Sequence, residues 1–149
     1  MRAILEGKGT FAAMVLAVTA LLLGGYALSQ MIEAPSGALA EQLTTAVTHA
    51  GFSAAAEDQA MASRHLGHVL NCLVGEGGDG FNAEWGHPCG GQGAGIVNDL
   101  ASHPQAADLQ PLVDAARDLA AQGVQQQSLV AVQAAAAAVG AILGVISGG

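Results

Sequence analysis

The stretch Arg64-His65-Leu66-Gly67-His68-Val69-Leu70-Asn71-Cys72-Leu73 decides how this chain is read. Leu66, Val69, Leu70 and Leu73 recur at steps of three and four, which is the period of an α-helix. The same steps place His65, His68 and Cys72 one above another. The helical pattern reaches back to Ala38 through Leu39, Leu43, Val47, Phe52 and Met61, and forward to about Val74. Within it, Gly51 marks a kink or a division into two helices.

Beyond this region the period is lost. Residues 75–95 hold 9 Gly and one Pro, and the spacing predicts a long loop, extending to about residue 101. A further helix is expected from between Ser102 and Asp108 to Gln122, with Leu109, Leu112, Val113, Ala116, Leu119 and Ala120 on its apolar face and Gly123 as its stop. Pro104 and Pro111 fit only near its first turn or at a kink. A last helix is expected over residues 124–147, its stripe formed by Leu129, Val132, Ala136, Val139, Leu143 and Ile146. Gln125, Gln126, Gln127 and Gln133 dilute its first half and favour a bundle helix over a membrane span. Gly140 and Gly144 give this helix a small-residue face for tight packing against a partner helix.

Upstream, the 24 residues from Gly9 to Ile32 carry no charge, enough at about 1.5 Å per residue to cross a hydrocarbon core of about 30 Å. Arg2 and Lys8 precede this stretch, while only Arg64 and Arg117 follow it. The asymmetry predicts an N-terminus in the cytoplasm and a remainder on the far side of an inner membrane, in the periplasm of a two-membrane host. Small residues at Ala27 and Ser29 allow a signal peptide cleaved before Gln30, but the apolar stretch exceeds the usual signal length of about 7 to 15 residues and favours an uncleaved anchor. The fold expected is therefore all-α: a membrane anchor over residues 1–32, then an extracytoplasmic helical bundle over residues 36–149 with one long Gly-rich loop.

Composition narrows the function classes. The 149 residues are 52% hydrophobic and 11% charged, which argues against a disordered chain, and two Cys are too few for a disulfide-dense mini-protein. Four basic side chains against twelve acidic ones, for a net charge of -8, cannot neutralise a run of phosphates, so no nucleic-acid partner is expected. The serines show no nucleophile elbow, and no local motif joins a nucleophile to a base.

The chemistry with most support is metal binding. Two imidazoles on one helical face can share an ion when another element adds ligands; His49, His87 and His103 are the candidates to join His65 and His68, with His49 and His87 foremost and Glu57, Asp58 or Glu84 as acidic help. Copper or zinc suits such ligands, and a non-covalent b-type haem with two axial histidines is a further possibility. Covalent haem is excluded by the lack of a Cys-x-x-Cys-His motif. The plainer alternative is that His65 and His68 are half-buried residues bonded to carbonyls or to each other through water. Cys72 and Cys89, the only cysteines, are expected to form a disulfide in an oxidising compartment and so pin the loop. Glu76, Asp79, Asn82 and Glu84 do not have the spacing of a calcium loop, and the run from Gly90 to Gly95 lacks the Lys and Ser/Thr of a phosphate loop. Trp85 and Phe81 are expected to plug the bundle end, with an exposed Trp85 marking a docking surface.

The run from His65 to Gly75, followed by Asn82 and by His87-Pro88-Cys89-Gly90-Gly91-Gln92-Gly93, resembles a pattern in small exported bacterial helical proteins; His49-Ala50-Gly51-Phe52 is similar to the segment upstream of it. The resemblance spans residues 48–100. It implies an exported helical domain with a shared His, Asn and Cys core, and it implies no particular activity. Two functions are therefore expected to compete. One is metal or haem binding for electron transfer or metal handling at the membrane. The other is a noncatalytic accessory subunit, packed into a membrane complex or a homo-oligomer through the anchor, Trp85 and the Gly140 and Gly144 face.

Overall fold

The computed structural model describes residues 33–148, so the expected membrane anchor over residues 1–32 lies outside the described residues. Among them are five α-helices and no strand: α1 (Gly37–Ala54), α2 (Gln59–Val74), the short α3 (Ile96–Asp99), α4 (Ala106–Gly123) and α5 (Leu129–Ile146). Single 3-10 turns occur at Ala83–Trp85 and Leu100–Ser102.

The break between the first two helices falls at residues 55–58, not at Gly51, which lies inside α1. A glycine costs a helix only about 1 kcal/mol, so it need not end one. Asp58 starts the next helix decisively, its Oδ1 accepting the Met61 backbone N–H at 2.8 Å. The Ser53 hydroxyl, fully buried, then donates to the Ala62 carbonyl at 2.7 Å and fastens α1 to α2 just past the turn.

The four long helices form a ring in which α1 packs on α2, α2 on α4, α4 on α5 and α5 back on α1. Short connections of four to five residues make α1/α2 and α4/α5 antiparallel pairs. Gln59 Nε2 donates to the Gln126 carbonyl at 3.0 Å and Gln133 Nε2 to the Ala56 carbonyl at 2.9 Å, so the two turns are tied at one end of the bundle. The core is filled by Leu43, Leu66, Val69, Leu73, Leu109, Val113, Val132, Val139, Leu143 and Ile146.

α4 keeps the expected bounds almost to the residue and continues through Pro111, which sits in its second turn and removes one backbone donor near the helix start. α5 is shorter than expected, because residues 124–128 form the turn that returns the chain. Its buried face, Val132, Ala136, Val139, Leu143 and Ile146, is the predicted stripe without Leu129, which is half-buried at the first position of the helix. A methyl group at Gly140 would stand 3.2 Å from the Ala50 side chain, so this glycine serves close packing of α5 on α1, while the space around Gly144 is open. α5 is also the one described helix long and apolar enough to cross a membrane by length and composition.

Two residues of the expected apolar faces are exposed, Phe52 at 52% and Met61 at 48%, and Val47, Leu112, Leu119 and Leu129 are only half-buried. The segment expected as loop to residue 101 includes α3 and both 3-10 turns.

A histidine cluster held by the Gly-rich loop

His49 projects from α1 toward His65 and His68 on α2, one helical turn apart, and the three half-buried rings meet in a single cluster. The Nδ1 atoms converge: His49 Nδ1 lies 3.1 Å from His65 Nδ1 and 3.0 Å from His68 Nδ1. One ligating atom from each residue falls within 4.8 Å of the others, and no carboxylate or thiolate joins the group among the described residues.

The ring of His68 is fixed from behind. Its Nε2 is 2.5 Å from the Trp85 carbonyl oxygen, which can only accept, so the proton resides on Nε2. In the neutral ring the Nδ1 lone pair therefore faces the cluster. A backbone carbonyl holding the remote nitrogen of an imidazole is the usual outer-sphere support of a metal-ligating histidine.

The carbonyl is itself held in place by buried contacts. Asn71, fully buried on α2, donates through Nδ2 to the carbonyls of Asn82 and Gly86, each at 2.7 Å, and accepts the Asn82 N–H at 2.9 Å. These three bonds bracket the 3-10 turn Ala83–Trp85. The Trp85 indole packs over Gly67, where an added Cβ would stand under 3.0 Å from three ring atoms. Only glycine lets the indole, and with it the carbonyl, approach α2 this closely. Farther along, Cys72 and Cys89 form a disulfide with a Cα–Cα distance of 5.3 Å, and both are fully buried. Gln42 secures the end of the loop, accepting the Gly95 N–H at 2.9 Å and donating to Asp99 Oδ2 at 2.5 Å.

Burial and mutual repulsion keep the cluster neutral. Desolvation, reinforced by His68 and His65, lowers the pKa of His49 to about 4. Desolvation also lowers His65, with His68 and Arg64 adding to the effect. For His68 desolvation outweighs the opposing bond to the Trp85 carbonyl, and Arg64 depresses it further. Near pH 7 all three rings are neutral, each with one nitrogen lone pair, the protonation state a metal requires.

Comparison with protein-family models, curated proteins and solved structures gave no match. The site's own chemistry must therefore carry the functional argument.

His87 and His103, the other expected candidates, are not part of the cluster; the ring of His87 meets Phe81 edge-on at 5.1 Å, and His103 Nε2 lies 3.1 Å from the Glu33 carbonyl oxygen. The α1–α2 register brings His49 in, while His87 sits on the loop against Phe81. Trp85 is half-buried and works inward against Gly67. The sequence pattern gives Gly67 no role and assigns Phe52 to an apolar stripe, whereas the Phe52 ring lies 5.6 Å from that of His49 and 5.4 Å from that of His65. The step of three from His49 to Phe52 was the available signal, because it puts both on one face of α1.

Proposed function

We propose that the protein binds one first-row transition-metal ion, copper or zinc, through His49, His65 and His68, and that it handles metal at a membrane surface. The observation that carries this reading is the convergence of three Nδ1 atoms while the Nε2–H of His68 is committed to a carbonyl. Two imidazole nitrogens bound to one ion at tetrahedral angles stand about 3.3 Å apart, so separations of 3.0 and 3.1 Å need only a few tenths of an ångström of spreading. With His68 Nδ1 an acceptor, His49 Nδ1–H would donate to it in the metal-free chain, and on binding an ion through Nδ1 the same neutral ring would carry its proton on Nε2 instead.

The geometry favours an ion over haem. Two histidines holding a haem would need their ligating nitrogens roughly 4 Å apart with room for the macrocycle between the rings, whereas the Nδ1 atoms here stand 3.0 and 3.1 Å apart and the rings are in contact. Three protein ligands with the rings half exposed leave coordination positions open, which suits uptake and transfer more than a closed structural site. The location at a membrane rests on the sequence alone, through the uncharged stretch Gly9 to Ile32 and the charge asymmetry around it.

A second reading has one observation in its favour. α5 has a mean hydropathy of 2.3 over 18 residues and only 28% of it is buried, which fits an accessory subunit whose last helix packs into a membrane complex. The two readings separate on metal content. Full-length protein taken from its native membrane without chelators should carry a stoichiometric ion and show no Soret band. A metal-free protein that also fails to take up copper or zinc in vitro would overturn the metal reading.

A further inference from the structure

The Gly-rich loop covers the histidine cluster at His68, through the Trp85 carbonyl. On the side nearer the turn between α1 and α2, two other side chains border it. Phe52 lies three residues beyond His49 toward the end of α1, and its exposed ring meets those of His49 and His65. Arg64 lies four residues before His68 toward the start of α2, and the ring of His68 leans over the turn that bears it. Arg64 is exposed, and its positive charge reaches the rings of both His65 and His68, where it opposes their protonation. Both ion pairs among the described residues belong to Arg117, which Asp114 and Asp118 hold, so Arg64 has no carboxylate partner there.

We propose that the metal-loaded site takes a small carboxylate with an apolar body, one oxygen on the ion, the other on the Arg64 guanidinium, and the body against the Phe52 ring. This deepens the metal reading and rests on it. Neither a carboxylate nor a thiolate joins the three histidines among the described residues, so a divalent ion held there keeps its full charge. Arg64 adds a further positive charge beside it, and the two repel unless an anion stands between them. Three protein ligands leave the ion an open position where that anion binds. The planar guanidinium fork matches the two oxygens of a carboxylate. A monoanion suits the site better than a phosphate, because Arg64 is the one cationic side chain there and the chain as a whole carries a net charge of -8. An apolar body on the ligand removes the exposed face of Phe52 from water, and an aromatic body also stacks on it.

Full-length protein freed of metal would be loaded with Co(II) in a chloride-free buffer and titrated with acetate and with benzoate, following the visible bands of the ion. Both anions should shift the bands, benzoate at the lower concentration. By linkage, each anion should raise the affinity for Co(II) by the factor by which Co(II) raises its own. Arg64→Gln should load Co(II) at least as tightly, since a repelling charge is gone, yet bind both anions roughly 10- to 100-fold more weakly, the range for a hydrogen bond to a charged group. Phe52→Ala should leave acetate unchanged and cancel the advantage of benzoate. Both side chains are exposed and stand outside the core, so both variants should fold. Bands that neither anion moves, or equal anion affinity in the parent and Arg64→Gln, would overturn the proposal while leaving the three-histidine site standing. A benzoate advantage that is missing in the parent or persists in Phe52→Ala would overturn the place given to the apolar body. Failure of the parent protein to take up Co(II) would instead remove the metal reading, and this proposal with it.

Discussion

The Nε2–H of His68 donates to the backbone carbonyl of Trp85 at 2.5 Å, and this bond links the Gly-rich loop to the histidine cluster. The loop thereby settles which nitrogen of His68 carries its proton. A segment that looks like mere turn-forming glycine thus sets the chemistry of a side chain on α2.

Because the Trp85 indole rests on Gly67, Gly67→Ala should push the indole off α2 and draw the carbonyl away from His68. The expected result is a loss of metal affinity of roughly 10- to 100-fold with helix content unchanged, read by metal titration alongside far-ultraviolet circular dichroism. Unchanged affinity would show that the carbonyl contributes nothing to the site.

Asn71→Ala leaves the Asn82 N–H and the carbonyls of Asn82 and Gly86 without their buried partner. Such losses cost about 1–3 kcal/mol for each group stranded away from water, so the variant should unfold at clearly lower urea concentration, with a deficit of about 3 kcal/mol. It should also bind metal more weakly, since the turn that carries Trp85 is no longer bracketed.

The disulfide closes a loop of 17 residues, worth about 3 kcal/mol by the chain-entropy account. Denatured, nonreduced protein should show no free thiol. Cys72→Ser combined with Cys89→Ser should lower stability by about that amount, as measured by urea unfolding.

The depressed histidines give the metal-free protein a defined acid response. His49 has a folded pKa near 4 against an ordinary value of 6.5, so between these values the unfolded chain takes up a proton that the folded chain refuses. The cluster therefore leaves stability unaffected above about pH 6.5 and subtracts from it progressively as the pH falls toward 4. His49→Gln should show a shallower loss of stability over that window, and identical pH profiles would refute the stated protonation.

Much of the architecture was readable from period alone. The buried stripes of α4 and α5 match the expected faces, since a helix in a bundle must turn its periodic apolar residues inward. The disulfide between Cys72 and Cys89 followed from there being only two cysteines and an oxidising compartment expected, against the alternative of a reduced Cys and His metal site. The α1–α2 boundary was misread because Gly51 is a conspicuous residue with a small energetic effect, while the cap at Asp58 acts through one hydrogen bond that periodicity does not register. Phe52 fits an apolar stripe equally well whether that stripe ends in the core or at the edge of a site, and only the register between α1 and α2 separates the two. His49 was a candidate on residue type, but its place beside His65 and His68 depends on that register too. His87 failed for the same reason, since nothing in its spacing from His68 fixes where a Gly-rich loop sends it.

The most direct test of the central claim is titration of metal-free full-length protein with Co(II), a spectroscopic substitute for zinc, followed by its visible ligand-field bands. The account predicts saturation at one ion per chain, with loss of the bands in His49→Ala, in His65→Ala and in His68→Ala but not in His87→Ala. Bands that survive in all three cluster variants, or that vanish with His87→Ala, would contradict it.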